Sequence, residues 1–180
     1  MRRPVAVPPH TRTMDITIRA VRPEEHGTLA GITAQAYLGD GLLAFGESDE
    51  YLIELRDVAR RAAGAEVLVA VERDERVLGG VTFVADGGGP WAELSRAGEA
   101  ELRMLAVARE ERCRGAGEAL VRACVERARA VEGCRRLVLS TQASMRAAHR
   151  LHERLGFLRT PERDWQPVPG VTLRTYALPL

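Results

Sequence analysis

One short run past mid-chain brings together residue types able to bind a diphosphate. It reads Arg112-Cys113-Arg114-Gly115-Ala116-Gly117, follows the apolar run Glu101-Leu102-Arg103-Met104-Leu105-Ala106-Val107, and precedes a segment whose Leu120, Val121, Cys124, Val125 and Ala128 share one helical face. The first turn of a helix leaves backbone N–H groups unpaired and carries partial positive charge, and glycines let a phosphate approach that backbone closely. Arg112 and Arg114 add charge at the same place. The unit is a candidate phosphate cradle, although tight strand-to-helix packing would draw the same pattern. Other phosphate loops fit worse. A P-loop needs Gly-Lys followed by Ser or Thr, and this chain contains no Lys. A dinucleotide fingerprint needs G-x-G-x-x-G at the first strand of a βαβ pair, whereas R-x-x-G-x-G here follows a later strand.

The elements that must hold this run can be read from periodicity. Ile16, Ile18 and Ala20 alternate with polar residues and predict a first strand over 15–20. Pro23, Glu24 and Glu25 open a helix with Leu29, Ile32, Ala36 and Tyr37 on its apolar face. A glycine-bearing loop over 38–47 then precedes a second amphipathic run with Leu52, Leu55, Val58 and Ala59. The β-branched runs 67–71 and 77–85, separated by charged residues, predict a hairpin. Gly87 to Pro90 break the chain before the strand at 99–107. Further strands are expected at 136–140 and near Val171, Leu173 and Tyr176, on either side of a late helix.

The R-x-x-G-x-G run, after a strand ending in Leu105-Ala106-Val107, resembles the acyl-CoA-binding motif of the GNAT acetyltransferases. A second block, Met145 to Phe157, is similar to that family's late helix ending in Leu-Gly-Phe, and its Ala148, Leu151 and Leu155 form an apolar stripe before Gly156, which suits a left-handed cap. The resemblance is strong over 100–157, fair before it and thin in the last segment. It implies an α/β (α+β) GNAT fold: a mixed, mostly antiparallel sheet with helices on both faces and a splayed parallel strand pair holding the cofactor. It implies acetyl-CoA as cosubstrate, with Leu105, Ala106 and Val107 along its pantetheine arm. Its pyrophosphate would lie at Arg112, Cys113, Arg114, Gly115, Ala116, Gly117 and Glu118. Because these contacts are mostly main chain, a bulky residue at Gly115 or Gly117 is the damaging change.

The reaction so implied is attack of a primary amine on a thioester. An alkylamine with a pKa near about 10.4 is almost wholly protonated at pH 7, and freeing its lone pair costs on the order of 4.6 kcal/mol. Glu101 stands where some relatives carry a glutamate base; its other reading is a solvent-facing residue at a strand start. Glu99 is a weaker candidate. His152 stands where many relatives carry the Tyr that protonates the leaving thiolate, and an imidazole with an ordinary pKa near about 6.5 can donate a proton. Its other reading is packing beside Leu151 and Leu155. His149 is expected to be exposed. Met145 replaces the motif's usual Asn. Cys113 lies in the cradle rather than at the acyl carbon, so a covalent role is set aside.

Length and composition narrow the rest. The chain has 180 residues, 46% apolar and 28% charged, which suits one folded domain over 14–180 behind a loose tail at 1–13. Met14 is a plausible alternative start. The 26 basic residues, all Arg, nearly cancel 25 acidic ones, so no global field favours nucleic acid or an acidic membrane. The first residues lack the long apolar stretch of a signal peptide or membrane span. Three cysteines without metal-ligand spacing fit reduced thiols in the cytoplasm and no metal site. Tyr37, Phe45, Trp91 and Trp165 are candidates to line a pocket for a small-molecule amine. The resemblance also admits a peptide or protein acceptor, a non-catalytic acyl-CoA sensor, and a homodimer.

Overall fold

Val67, Val69 and Val71 point to one face of their strand while Leu68 and Ala70 point to the other, and all five are buried. A strand buried on both sides lies inside a sheet covered on both faces. A computed structural model describes residues 15–85 and 87–180, and the tail expected at 1–13, with Met14, lies outside them. The sheet has eight strands: β1 (Thr17–Ala20), β2 (Glu66–Val71), β3 (Val77–Val84), β4 (Glu99–Val107), β5 (Arg136–Gln142), β6 (Leu158–Arg159), β7 (Trp165–Val168) and β8 (Val171–Pro179). Their order is β1-β2-β3-β4-β5-β8-β6, with β7 also on β8, and among the described residues only β4 and β5 pair in parallel.

Helix α1 (His26–Gly39) enters through a short 3-10 turn at Pro23–Glu25. With α2 (Tyr51–Arg56) and α3 (Val58–Gly64) it covers the face on which Leu29, Val58 and the three valines of β2 pack. The expected single amphipathic run is thus two helices, because Asp57 ends α2 and caps α3 by accepting the Arg60 N–H at 3.0 Å. Thr33 is buried on α1, its hydroxyl satisfied by the Leu29 carbonyl at 2.8 Å. Helix α4 (Ala116–Ala130) covers the opposite face with Leu120, Val121, Cys124, Val125 and Ala128 against Leu68, Leu78 and Leu137. Helix α5 (Arg146–Arg154) follows β5. It ends as expected: Gly156 has φ of 93°, and the Phe157 and Gly156 N–H groups donate to the His152 and Glu153 carbonyls at 3.0 Å each. The expected hairpin forms, and strand β7 is a further element that periodicity does not mark. Among the described residues no helix is long and apolar enough to cross a membrane.

Two irregularities place the site. First, β4 pairs with β5 only at Glu99, Ala100 and Glu101, after which the two strands separate. Second, the register of β3 on β4 slips between Gly80 and Thr82, and Met104 takes a φ of 54°. This bulge re-aims the strand end. Beyond it the Ala108 N–H donates to the Leu78 carbonyl. By antiparallel alternation Ala106 also addresses β3, while Leu105 and Val107 turn their backbone polar groups toward the open gap.

Candidate active site

A cavity of about 270 Å³ opens where β4 and β5 separate. Its floor is Leu102 to Leu105 of β4 and Leu139 to Gln142 of β5. One wall comes from α1, α2 and the loop between them, another from His152 on α5, and a third from Trp165 and the β7–β8 turn. The Gln142 amide closes one end by donating to the Leu42 carbonyl at 2.6 Å. Three wall residues carry a buried nitrogen with no hydrogen-bond partner: Arg103 Nε, His152 Nδ1 and Trp165 Nε1. Unfilled polar atoms of this kind concentrate where ligands or water bind.

Beside the gap lies the glycine turn. Gly115 precedes α4 with φ of 95°, and no side chain caps the helix. The first intrahelical bond of this turn is Ala119 N–H to the Gly115 carbonyl, so the N–H groups of Ala116, Gly117 and Glu118 remain available. A Cβ built at Gly115 meets nothing, and one at Gly117 would project between Val107 and Leu151 at ordinary contact distances of 3.6 and 3.9 Å. Cys113 is exposed and also left-handed, with φ of 62°. The glycine turn and helix start expected from the sequence are therefore present, with the first backbone N–H groups of α4 uncapped. Its arginines are not free charges: Arg112 pairs with Asp40 at 2.8 Å and Arg114 with Glu111 at 2.5 Å. Glu118 pairs with Arg154 and Arg122. The Arg154 hydrogen bond, with Arg122 beside it, holds its carboxyl below the usual range.

Glu101 is 1% exposed and is not part of the cavity wall, so it is not a solvent-facing residue at a strand start. Its Oε2 accepts the backbone N–H groups of Glu93, Leu94 and Ser95 and the Ser95 hydroxyl, all at 3.0 Å. Glu99 is likewise committed, to Arg163 at 3.0 Å and to the Arg96 N–H. Burial raises its carboxyl, but these partners outweigh it and hold it low. Both carboxylates therefore fasten the 91–99 loop to the strand. That loop delivers a third one, Glu93, to the cavity. Burial pushes the Glu93 carboxyl above the usual range, against the opposing pull of Arg103. Glu93 Oε1 takes Arg103 Nη2, which also lies 3.3 Å from Glu54. Sequence reasoning missed Glu93, Glu54, Tyr51 and Arg103. Arg103, set between Leu102 and Met104, was the available signal, since a buried cation requires a partner.

His152 lines the cavity and is 2% exposed. Desolvation, with His149 adding repulsion, pushes its imidazole down to about 4. It is neutral near pH 7, and the charged acid implied by an ordinary imidazole value is absent from the free chain. It also packs edge-on to Phe157. His149 is buried rather than exposed, with Nε2 2.7 Å from Thr141 Oγ1 and 3.1 Å from the Gln142 carbonyl. Trp165 and Tyr37 reach the cavity. Phe45 is 71% exposed. Trp91 lies against Gly64, where a Cβ would fall 1.6 Å from its Nε1, and under the Arg60 guanidinium. Among the described residues no cluster of His, Cys, Asp or Glu is arranged to hold a metal ion.

The depressed imidazole couples folding to pH. In the unfolded chain His152 has its ordinary value of 6.5 and in the folded chain about 4. Between these the unfolded state binds more protons, so stability is full above the upper value and is lost as pH falls toward the lower one. About 2 kcal/mol should disappear between pH 7 and pH 5. His149, also lowered by burial, acts in the same direction. Urea unfolding at the two pH values should show a shallower loss in His152→Phe than in the parent; equal losses would remove His152 as the cause.

A splayed parallel strand pair, a cavity opening between its strands and an uncapped helix start after a glycine turn define an acyl-transfer architecture. The chain belongs to the acetyltransferase (GNAT) family, whose pattern matches residues 33–157. Similar solved structures include a GCN5-related N-acetyltransferase from Kribbella flavida, 23% identical over 92% of this chain and 98% of that one, with a TM-score of 0.67. The ribosomal-protein-alanine N-acetyltransferase from Brucella melitensis is 23% identical over 91% and 99%, with a TM-score of 0.66. A phosphinothricin acetyltransferase from Sinorhizobium meliloti, solved in complex with AcCoA, is 19% identical over 93% and 89%, with a TM-score of 0.68. At these identities the likeness is one of fold. No curated protein matches the chain.

Proposed function

We propose that this protein transfers an acetyl group from acetyl-CoA to the primary amine of a small molecule by direct attack. The observation that carries the reading is one continuous cavity with a carboxylate-bearing wall at one side and the β4–β5 gap, beside the uncapped α4 terminus, at the other. The outward backbone groups of Leu105 and Val107 suit the pantetheine amides as an added strand. The N–H groups of Ala116 to Glu118, with the left-handed Cys113 and Gly115, suit a pyrophosphate. The Sinorhizobium relative's complex with AcCoA supports this assignment. A volume below the roughly 300–1,000 Å³ of typical small-molecule sites favours a compact acceptor over a polypeptide. The three free cysteines suit the reducing cytoplasm.

In this reading Glu93 takes the proton of the bound ammonium, and Glu101 positions the loop that carries it. The amine nitrogen bonds to the acyl carbon, the carbon–sulfur bond breaks, and the leaving thiolate takes up the second proton that the nitrogen sheds as the amide forms. His152, neutral, offers an N–H hydrogen bond on the sulfur side rather than a full acid. Calorimetric titration should show acetyl-CoA binding and a large loss of affinity for S-acetyl-N-acetylcysteamine, which lacks the pyrophosphate. Gly115→Val should abolish the difference, since any side chain there is strained by about 1–2 kcal/mol and stands in the open space before the helix. No binding of acetyl-CoA, or equal binding of both thioesters, would sink the assignment.

A further inference from the structure

We propose that the acceptor end of the cavity selects a compact cationic amine with an apolar body and rejects amines that also carry an anionic group, the selector being Glu54 and Glu93 around Arg103. This rests on the reading of the site as an amine acetyltransferase. Arg103 is the only arginine on the cavity wall among the described residues, and both of its terminal nitrogens are already engaged. Nη1 donates to the Trp91 carbonyl at 2.8 Å and Nη2 engages both glutamates, while Nε has no partner but is buried. The exposures decide which charge a ligand meets. The Arg103 side chain is 7% exposed, whereas those of Glu54 and Glu93 are 36% and 32% exposed. The cation therefore sits behind, and two carboxylates present themselves to the open space.

The rest of the wall agrees. Asp49 adds a third acid, its oxygens turned to the Phe45 and Tyr51 N–H groups at 3.2 and 3.0 Å. Tyr37 and Tyr51 stand edge to face with centroids 6.2 Å apart and offer ring faces to a cation. Both phenols are held neutral, Tyr37 pushed up to about 12 and Tyr51 well above its usual value, chiefly by burial. Leu42, Leu43, Val171 and Leu173 supply apolar surface for the body of the amine. An acceptor carboxylate or phosphinate would face like charges with no free cation to receive it, a juxtaposition that disfavours binding strongly.

The test compares 2-phenylethylamine with phenylalanine, which share one apolar body and differ by a carboxylate, and adds phosphinothricin. Thiol release from acetyl-CoA should give 2-phenylethylamine a kcat/KM larger by on the order of 100-fold than either acid. Glu54→Gln should narrow that ratio by about tenfold. An acid used equally well, or a ratio untouched by Glu54→Gln, would overturn the proposal while leaving the amine acetyltransferase reading standing. If no amine turns over, that reading fails. The selection is then read by calorimetry of the same amines on the CoA-saturated protein. Preferential binding of 2-phenylethylamine supports it; equal binding or none overturns it.

Discussion

Glu93→Gln should lower kcat by about 10²–10⁴-fold while leaving acetyl-CoA affinity unchanged. The reason lies in the acceptor's protonation. An ammonium has no lone pair for the thioester carbon, and a carboxylate on the cavity wall is the group placed to remove its proton. Glu93 is suited because burial raises its carboxyl from the usual range toward working pH, and a base gains effectiveness as its pKa approaches that pH. Arg103 engages Oε1, leaving the proton to Oε2. In the parent, the rate should fall on the acid side as Glu93 protonates. That limb should be missing from Glu93→Gln when kcat/KM is followed between about pH 5 and 9. His152 does not confuse the limb, since its own protonation lies lower, near 4. A variant with parental kcat and an unaltered limb would take Glu93 out of the chemistry.

The second large effect is expected at Glu101, and on stability. Replacing it with Leu strips three backbone N–H groups and a hydroxyl of their common acceptor inside the protein. Breaking a buried charge-assisted cluster by removing one partner costs about 3–5 kcal/mol, which in a chain of this size lowers Tm by roughly 10 °C. Glu101→Gln keeps an acceptor oxygen and should lose much less. Thermal unfolding of both variants, with turnover of Glu101→Gln, separates two roles. A stable Glu101→Gln that loses kcat together with the acid limb would make Glu101 itself the base. A stable Glu101→Leu would mean that the 91–99 loop is held by something else, and Arg163 bridging Glu99 and the Leu94 carbonyl is the neighbour to test next.

The cofactor side of the site was legible because its signals are local. Gly115 is required by a left-handed backbone position one residue before a helix, and the stripe from Leu120 to Ala128 marks that helix whatever packs against it. The late helix and its Gly156 cap were legible for the same reason. The acceptor side was not. Glu54 is remote in the chain from Glu93 and Arg103, and nothing in the immediate neighbours of the two glutamates separates them from ordinary surface charges. The burial of His149 was not legible locally, because it depends on Tyr176 packing against α5.

Local pattern thus carries most of the order of strands and helices, though not β7 or the division of α2 from α3, together with the glycine turn and the family to which the chain belongs. These follow from periodicities and backbone preferences that operate within one or two turns of chain. Tertiary structure alone decided which carboxylate meets the cavity and which two brace a loop, that Arg112 and Arg114 are paired, and that His152 is neutral. Those outcomes depend on desolvation and on partners brought together across the fold, and charge state and accessibility are properties of the packed environment rather than of a residue type.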